Sequence, residues 1–283
     1  MALIDSSQVG RKLRAVVRKG PATFRNIVYS WLGVWPVSPL AGADLERVPT
    51  YCISLRGSVA KRALIARQAT TLGIRGLEFV DAVDARELDR ARLSAANLLD
   101  DDARLRHHGR VLSRNEIACS LSHGRAYELI ACRNHEVALI LEDDALFVPA
   151  RARRLRLADV PPGFDCVFLN AFLDREPPAD HRHGMIYGDA SYVGSSAAYL
   201  VSREGAAKLA AAHLPVIHAA DGLLGRNLAA PAGSASSFRR DGARTVLESY
   251  LCYPECVLNG SAAHYHVSEV GSRLLDRAAA RRA

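Results

Sequence analysis

The sequence predicts an α/β domain in which a mostly parallel β-sheet is flanked by helices. Short apolar runs alternate along the chain with longer segments that have helical spacing, the order typical of this class. The most apolar run, Val137 to Leu141, is uninterrupted, which favours a central strand covered on both faces. Ligands of such sheets collect at the carboxyl ends of the strands, so we expect the functional residues there.

The first elements are predicted to form a β-α-β unit. A buried strand over 51–55 is followed by a helix over 61–72, which Gly73 ends as a C-cap glycine. A second strand over 77–80 then runs into the acidic segment 81–84.

A long helix is predicted to begin at Ser113. Ser113 and Glu116 have the spacing of a capping box, and the helix runs to about Arg133. The polar, basic residues 88–112 before it show no clear period and are predicted to be irregular or partly helical. The later elements are predicted strands over 166–169 and 197–201 and a helix over 203–212.

Composition limits the classes of function. The chain has 283 residues with 49% hydrophobic and 24% charged content, which fits one large domain or a domain with an extension. It contains neither the roughly 18 consecutive apolar residues that span a bilayer nor a signal-peptide pattern, so we expect a cytoplasmic protein. The six cysteines form no CxxC pair and are predicted to be buried reduced thiols; Cys252 and Cys256 remain open as a redox or metal pair.

The net charge of +7 is concentrated at the start of the chain. Residues 1–43 hold six basic residues and one acid, whereas the remainder is close to neutral. A surface that follows nucleic-acid phosphates needs basic residues on the folded body, so this distribution argues against nucleic-acid binding.

The N-terminal segment is predicted to be a basic and aromatic extension. We expect it to cover residues 1–48, followed by a catalytic domain over 49–270 and an Ala/Arg-rich tail over 271–283. Arginines and tryptophans recur at helical spacing within residues 11–35, which suits reversible binding to an anionic membrane surface. The alternative is that the aromatic face packs on the domain's own core.

Three consecutive acids, Glu142, Asp143 and Asp144, follow the central strand. Because side chains alternate along a strand, Glu142 and Asp144 are expected to face one way and Asp143 the other. Carboxylates crowded at a strand end need a cation, and Mn²⁺ or Mg²⁺ prefers such oxygen ligands. The alternative is an acidic turn that caps a helix beginning at Ala145.

Four motifs follow one another along the chain. They are Tyr51-Cys52-Ile53-Ser54-Leu55 with Arg62, Phe79-Val80-Asp81-Ala82-Val83-Asp84, Leu112 to His123 (LSRNEIACSLSH), and Leu139-Ile140-Leu141-Glu142-Asp143-Asp144. In this order they resemble glycosyltransferase family 25, which contains bacterial lipooligosaccharide galactosyltransferases and collagen galactosyltransferase domains. The resemblance covers roughly residues 50–260, with Ala85 and Ala118 standing where the family usually has glycine.

The resemblance implies a GT-A-like, Rossmann-like fold and transfer of a sugar, often galactose, from a UDP-sugar to a glycan acceptor with inversion. Asp144 is then the expected metal ligand, and Glu142 either coordinates the metal or binds the ribose. Asp221 is the expected base that takes the acceptor proton; alternatively it is the N-cap of a helix over 223–228. His264 or His266 either completes the metal shell or lies on a solvated strand.

The remaining donor-binding residues are expected near the first strand ends. Ser54, Leu55 and Arg62 suit the uracil and diphosphate side, although Arg62 can also be an exposed helix charge. Asp81 and Asp84 either bind ribose hydroxyls or order the turn. For His123, a donor-pocket role and a buried core role both remain open.

Two other functions compete with sugar transfer. A metal-dependent phosphoryl-transfer enzyme also uses clustered acids, but the chain has no GxxxxGK[ST] motif. The acids at 142–144 are contiguous and start with Glu, so they do not form an Asp-x-Asp nucleophile motif. A catalytically inactive glycan-binding relative is disfavoured by the intact acidic triplet at 142–144.

Overall fold

The computed structural model describes residues 44–170, 182–187, 195–226 and 247–260. The strands are β1 (Thr50–Ser54), β2 (Leu77–Asp81), β3 (Val137–Glu142), β4 (Ala145–Phe147), β5 (Cys166–Phe168), β6 (Arg182–His183), β7 (Ile186–Tyr187), β8 (Ala198–Ser202), β9 (Ser249–Cys252) and β10 (Val257–Asn259). The helices are α1 (Val59–Leu72), α2 (Arg90–Ala95), α3 (Asp101–His108), α4 (Arg114–Cys132), α5 (Pro149–Ala152), α6 (Arg203–Ala212) and α7 (Ala220–Arg226), with 3-10 turns at Asp44–Arg47 and Leu157–Asp159.

The predicted α/β class with a largely parallel sheet is confirmed, and two strands of the main sheet, β7 and β8, run against the others. The main sheet has the order β2-β1-β3-β8-β5-β9-β7-β6, and β4 pairs with β10 in a second, two-stranded sheet. Strands β1, β2, β3, β5 and β9 run in one direction, while β8 runs in reverse between β3 and β5. Every residue of β8 is buried, and an apolar run of this kind does not reveal strand direction.

Local signals explain where the helices begin and end. At the end of α1, Gly73 has the left-handed φ of 75° that favours glycine. The capping box at the start of α4 is present, because Ser113 and Glu116 bond each other's backbone N–H groups. The segment 88–112 is more ordered than expected, since Asp89 and Asp100 cap the short helices α2 and α3.

Side chains of β3 alternate between two cores on the two faces of the sheet. Leu139 and Leu141 pack in one core, and Ala138 and Ile140 in the other. Leu45 is fully buried in the first core, so the packed chain begins ahead of residue 49, the expected start of the domain.

Several predicted features lie outside the described residues. These are the extension up to residue 43, the tail over 271–283, and His264 and His266. No helix in the described part of the chain combines the length and apolar character that crossing a membrane requires.

Candidate active site

An open cleft lies at the carboxyl ends of the parallel strands β1, β2 and β3. It encloses about 710 Å³, including space open to solvent. Its walls come from five segments: the end of β1, Lys61 of α1, the loop after β2, the first half of α4 and the acidic end of β3. The cleft therefore lies where ligands of α/β sheets collect.

The acidic triplet forms a turn between two strands. Ala145 begins β4, so the alternative of a helix capped at this position is wrong. Asp143 faces β1 and α1: its Oδ2 accepts a hydrogen bond from Ser54 Oγ at 2.8 Å, and its Oδ1 pairs with Lys61 Nζ at 2.9 Å. Lys61 thus supplies part of the positive charge that the clustered carboxylates need.

Glu142 faces the opposite direction from Asp143, towards α4. Its Oε1 accepts a hydrogen bond from Ser196 Oγ at 2.5 Å and lies 3.3 Å from His123 Nε2. Burial alone would raise the pKa of Glu142, but its bonds to His123 and Ser196 and the positive charge of Lys61 bring that pKa below its usual range. Glu142 is therefore held as a carboxylate at the cleft.

His123 is buried but contributes to the cleft wall, so it combines features of both predicted roles. It is 1% exposed, and its Nδ1 lies 2.8 Å from Tyr199 Oη, whose ring stacks on the imidazole. Tyr199 Oη in turn donates to Tyr127 Oη at 3.0 Å. This chain of contacts fixes the orientation of the imidazole ring.

Two sets of side chains at the cleft offer metal ligands. Asp144 is 7% exposed and lines the cleft with Glu142, and their oxygens suit the expected Mn²⁺ or Mg²⁺. The backbone of Asp144 is fixed by Gly260, whose N–H donates to its carbonyl at 2.8 Å. Among the described residues, Cys119, His123 and Glu142 form a second group with donor atoms within 4.8 Å of one another.

Of the predicted donor-binding residues near β1, Ser54 and Leu55 line the cleft. Arg62 connects the ends of β1 and β2, because its Nη2 donates to Ser54 O at 2.8 Å and to Asp81 Oδ1 at 2.6 Å. Its guanidinium also lies over Phe79, 5.0 Å from the ring centre. With 21% of its side chain exposed, Arg62 is not the exposed helix charge of the alternative interpretation.

The loop after β2 contributes small residues to the cleft instead of the predicted acids. Asp81, the last residue of β2, pairs with Arg62 of α1, and Asp84 pairs with Arg86. The hydrogen bonds from Arg86 lower the pKa of Asp84 to about 2. The cleft wall here is formed by Ala82, Val83 and Ala85. The loop is tied to α4 through the Val83 N–H, which donates to Ser122 Oγ at 2.8 Å.

Asp221 lies in the first turn of α7 and is not among the residues that line the cleft. The helix begins at Ala220, ahead of the predicted start, so Asp221 is not its N-cap; its Oδ1 accepts from Gly222 N at 2.7 Å. Burial and the negative charges of Glu142 and Asp221 raise the pKa of the Cys119 thiol.

Three residues of the site were not predicted from the sequence: Cys119, Lys61 and Ser196. Cys119 lies four residues before the predicted His123 on α4, so the two share a helix face, and this spacing could have indicated Cys119. Lys61 and Ser196 had no local signal, because they contact acids that lie 82 and 54 residues away in the chain.

Comparisons with known proteins agree with the four motifs. Residues 47–158 match the model of glycosyltransferase family 25, described as LPS biosynthesis protein. The chain is 29% identical over 181 residues to procollagen galactosyltransferase 1-A of Xenopus laevis, covering 58% of this chain and 29% of that protein. It is 31% identical over 170 residues to a glycosyltransferase 25 family member of Aedes aegypti, covering 56% and 27%.

A third relative, a glycosyltransferase 25 family member of Drosophila melanogaster, is 28% identical over 181 residues, covering 60% of this chain and 28% of the relative. The matches thus span less than a third of the length of these relatives. Together with the family model they confirm the resemblance to glycosyltransferase family 25 that the motifs carry.

Proposed function

We propose that the chain is a glycosyltransferase that transfers galactose from UDP-galactose to a hydroxyl of a glycan acceptor, in the synthesis of a lipopolysaccharide, lipooligosaccharide or other cell-surface glycan. One observation carries the proposal: all four motifs of the family resemblance contribute residues to the same cleft. The galactose assignment is supported by the name of the Xenopus relatives.

The cleft suits a nucleotide-sugar donor. It lies at the carboxyl ends of the parallel strands and is open to solvent, so a donor can enter it. The cleft is lined by three carboxylates and by Lys61, and the carboxylates by themselves repel a diphosphate. A divalent cation between protein and donor, Mn²⁺ or Mg²⁺, resolves this conflict, since such ions bind one or two carboxylates together with substrate phosphates.

The acidic residues have separate roles in the proposed transfer. When held by Asp144 and Glu142, the cation would supply Lewis-acid stabilisation of the departing diphosphate. Asp143, fixed by Ser54 and Lys61, keeps the turn between β3 and β4 in place. Inversion requires a base on the acceptor side of the sugar, and we assign that role to Asp221.

The experiment that tests this function measures UDP release from UDP-sugars, with and without Mn²⁺ and a glycan acceptor. We expect release that depends on both the metal and the acceptor, and that is fastest with UDP-galactose. A glycan-binding protein without activity would release no UDP, and a phosphoryl-transfer enzyme would release inorganic phosphate or phosphorylate the acceptor. Either result would reject the proposal.

We also propose that residues 11–35 bring the protein to the cytoplasmic face of a membrane that carries a lipid-linked acceptor. The support is their sequence alone, in which basic residues at helical spacing precede two tryptophans. Full-length protein should sediment with anionic but not with neutral vesicles, whereas a chain beginning at Asp44 should sediment with neither. Equal sedimentation of the two proteins would show that this segment is not the anchor.

A further inference from the structure

The cleft contains a group of three side chains whose chemistry differs from that of the oxygen-rich metal site. Cys119 and His123 share one face of α4, and Glu142 ends the neighbouring strand β3. All three line the cleft, and one donor atom from each lies within 4.8 Å of the other two. A sulfur, a nitrogen and an oxygen therefore converge on one point that is accessible from the cleft.

The contacts around His123 prepare one ring nitrogen for a cation. Because Tyr199 Oη donates to Tyr127, it accepts a hydrogen bond from His123 Nδ1, which therefore carries the proton. The other nitrogen, Nε2, is directed at Glu142 Oε1, 3.3 Å away. A proton on Nε2 joins these two atoms in the metal-free protein. It leaves when a metal ion binds between them.

The supporting contacts are those found around metal ligands in proteins. A ligating histidine usually donates its second N–H to a fixed acceptor, and a ligating carboxylate is itself hydrogen-bonded. Tyr199 and Ser196 fill these positions for His123 and Glu142.

We propose that Cys119, His123 and Glu142 bind Zn²⁺, with the fourth coordination position facing the cleft. Zn²⁺ takes thiolate, imidazole and carboxylate ligands in tetrahedral geometry, whereas Mn²⁺ and Mg²⁺ prefer oxygen. Ligand distances of about 2.0–2.3 Å place the donor atoms of such a site about 3.3–3.6 Å apart. The separation of 3.3 Å between His123 Nε2 and Glu142 Oε1 already fits. On binding, the S–H bond of Cys119 breaks, the Zn–S bond forms and the proton leaves to the solvent.

This inference does not depend on the proposed function. The site shares Glu142 with the proposed donor metal but excludes Asp144 and includes a sulfur. It is therefore detected by a spectroscopic signal that an all-oxygen site cannot produce.

The test uses Co²⁺ as a visible substitute for Zn²⁺. The full chain is treated with a chelator, desalted under reducing conditions and titrated with Co²⁺ while its absorption is recorded. We expect one equivalent of Co²⁺ to give a thiolate-to-cobalt charge-transfer band and the visible absorption of tetrahedral Co²⁺, both of which Zn²⁺ abolishes.

Three variants locate the site. Cys119→Ser should lose the charge-transfer band while keeping the far-UV circular dichroism of the wild type. Cys132→Ser, which changes an exposed cysteine on the same helix, should keep the band. Cys252→Ser should keep it as well, although Cys252 Sγ lies 3.2 Å from Cys256 Sγ. The proposal is overturned if the wild type gives no band, or if the band survives Cys119→Ser or disappears in Cys252→Ser.

Discussion

The side chain of Gln68 holds the strand that follows the acidic turn, and its replacement should destabilise the fold. Gln68 lies on α1 and is 3% exposed. Its Nε2 donates to Ala145 O at 3.1 Å, and its Oε1 accepts from Phe147 N at 2.8 Å. One amide thus satisfies two backbone groups of β4, which begins directly after Asp144.

The expected size of the effect follows from these two bonds. In Gln68→Leu the side chain keeps a similar volume, but a backbone C=O and a backbone N–H of β4 become buried without partners. Each such group costs about 1–3 kcal/mol, and burial of the leucine side chain returns part of this, about 1–2 kcal/mol. We therefore expect the free energy of unfolding to fall by about 2–4 kcal/mol.

Urea denaturation followed by circular dichroism measures this loss. With a denaturant dependence of about 2–3 kcal/mol per M, the midpoint should fall by about 1 M. Arg67→Leu, at an exposed position next to Gln68, is the matched control and should change stability by no more than about 0.5 kcal/mol. If both variants unfold at the wild-type midpoint, the role assigned to the Gln68 amide is wrong.

Three further predictions concern packing, pH and the base. Gly205→Ala should prevent folding or cost more than about 3 kcal/mol, because the added Cβ would lie 2.3 Å from a backbone carbonyl oxygen, whereas Gly57→Ala, with open space around it, should be tolerated in a thermal melt. Burial would raise the pKa of Glu116, but hydrogen bonds, foremost from Arg110, lower it from 4.5 to about 2. Its contribution to stability should therefore be complete above pH 4.5 and be lost as the pH falls towards 2. In Glu116→Gln the urea midpoint should depend less on pH within that window than it does in the wild type. Asp221→Asn should abolish transfer but preserve UDP binding measured by calorimetry; lost UDP affinity would place Asp221 in the donor site instead.

Features with local signals were predicted from the sequence. The apolar run of β3, the capping box of α4 and the helix over 203–212 all agree with the structure. At the candidate site, the placement of Ser54, His123 and the acidic triplet in one cleft follows from their positions at strand ends and on the helix between them.

Features that depend on distant pairing were not predicted. The reversal of β8 leaves no trace in its composition, because both of its faces are buried in either direction. Ser196 bonds Glu142 across 54 residues, and serine is too common in loops to indicate such a contact. Asp81 and Asp84 stand at a strand end as expected, but neighbouring arginines bind their carboxylates.

The central claim is that the acidic end of β3 binds the metal for sugar transfer, and the most direct test is UDP release by Asp144→Asn. Removing one major charge contact to the transition state should lower turnover on the order of a hundredfold at saturating Mn²⁺. The exposed control Asp102→Asn, on α3, should retain wild-type turnover. Chelation of the metal should abolish UDP release by the wild type, and added Mn²⁺ should restore it. Wild-type turnover that survives complete chelation, or an Asp144→Asn variant as active as the wild type, would contradict the claim.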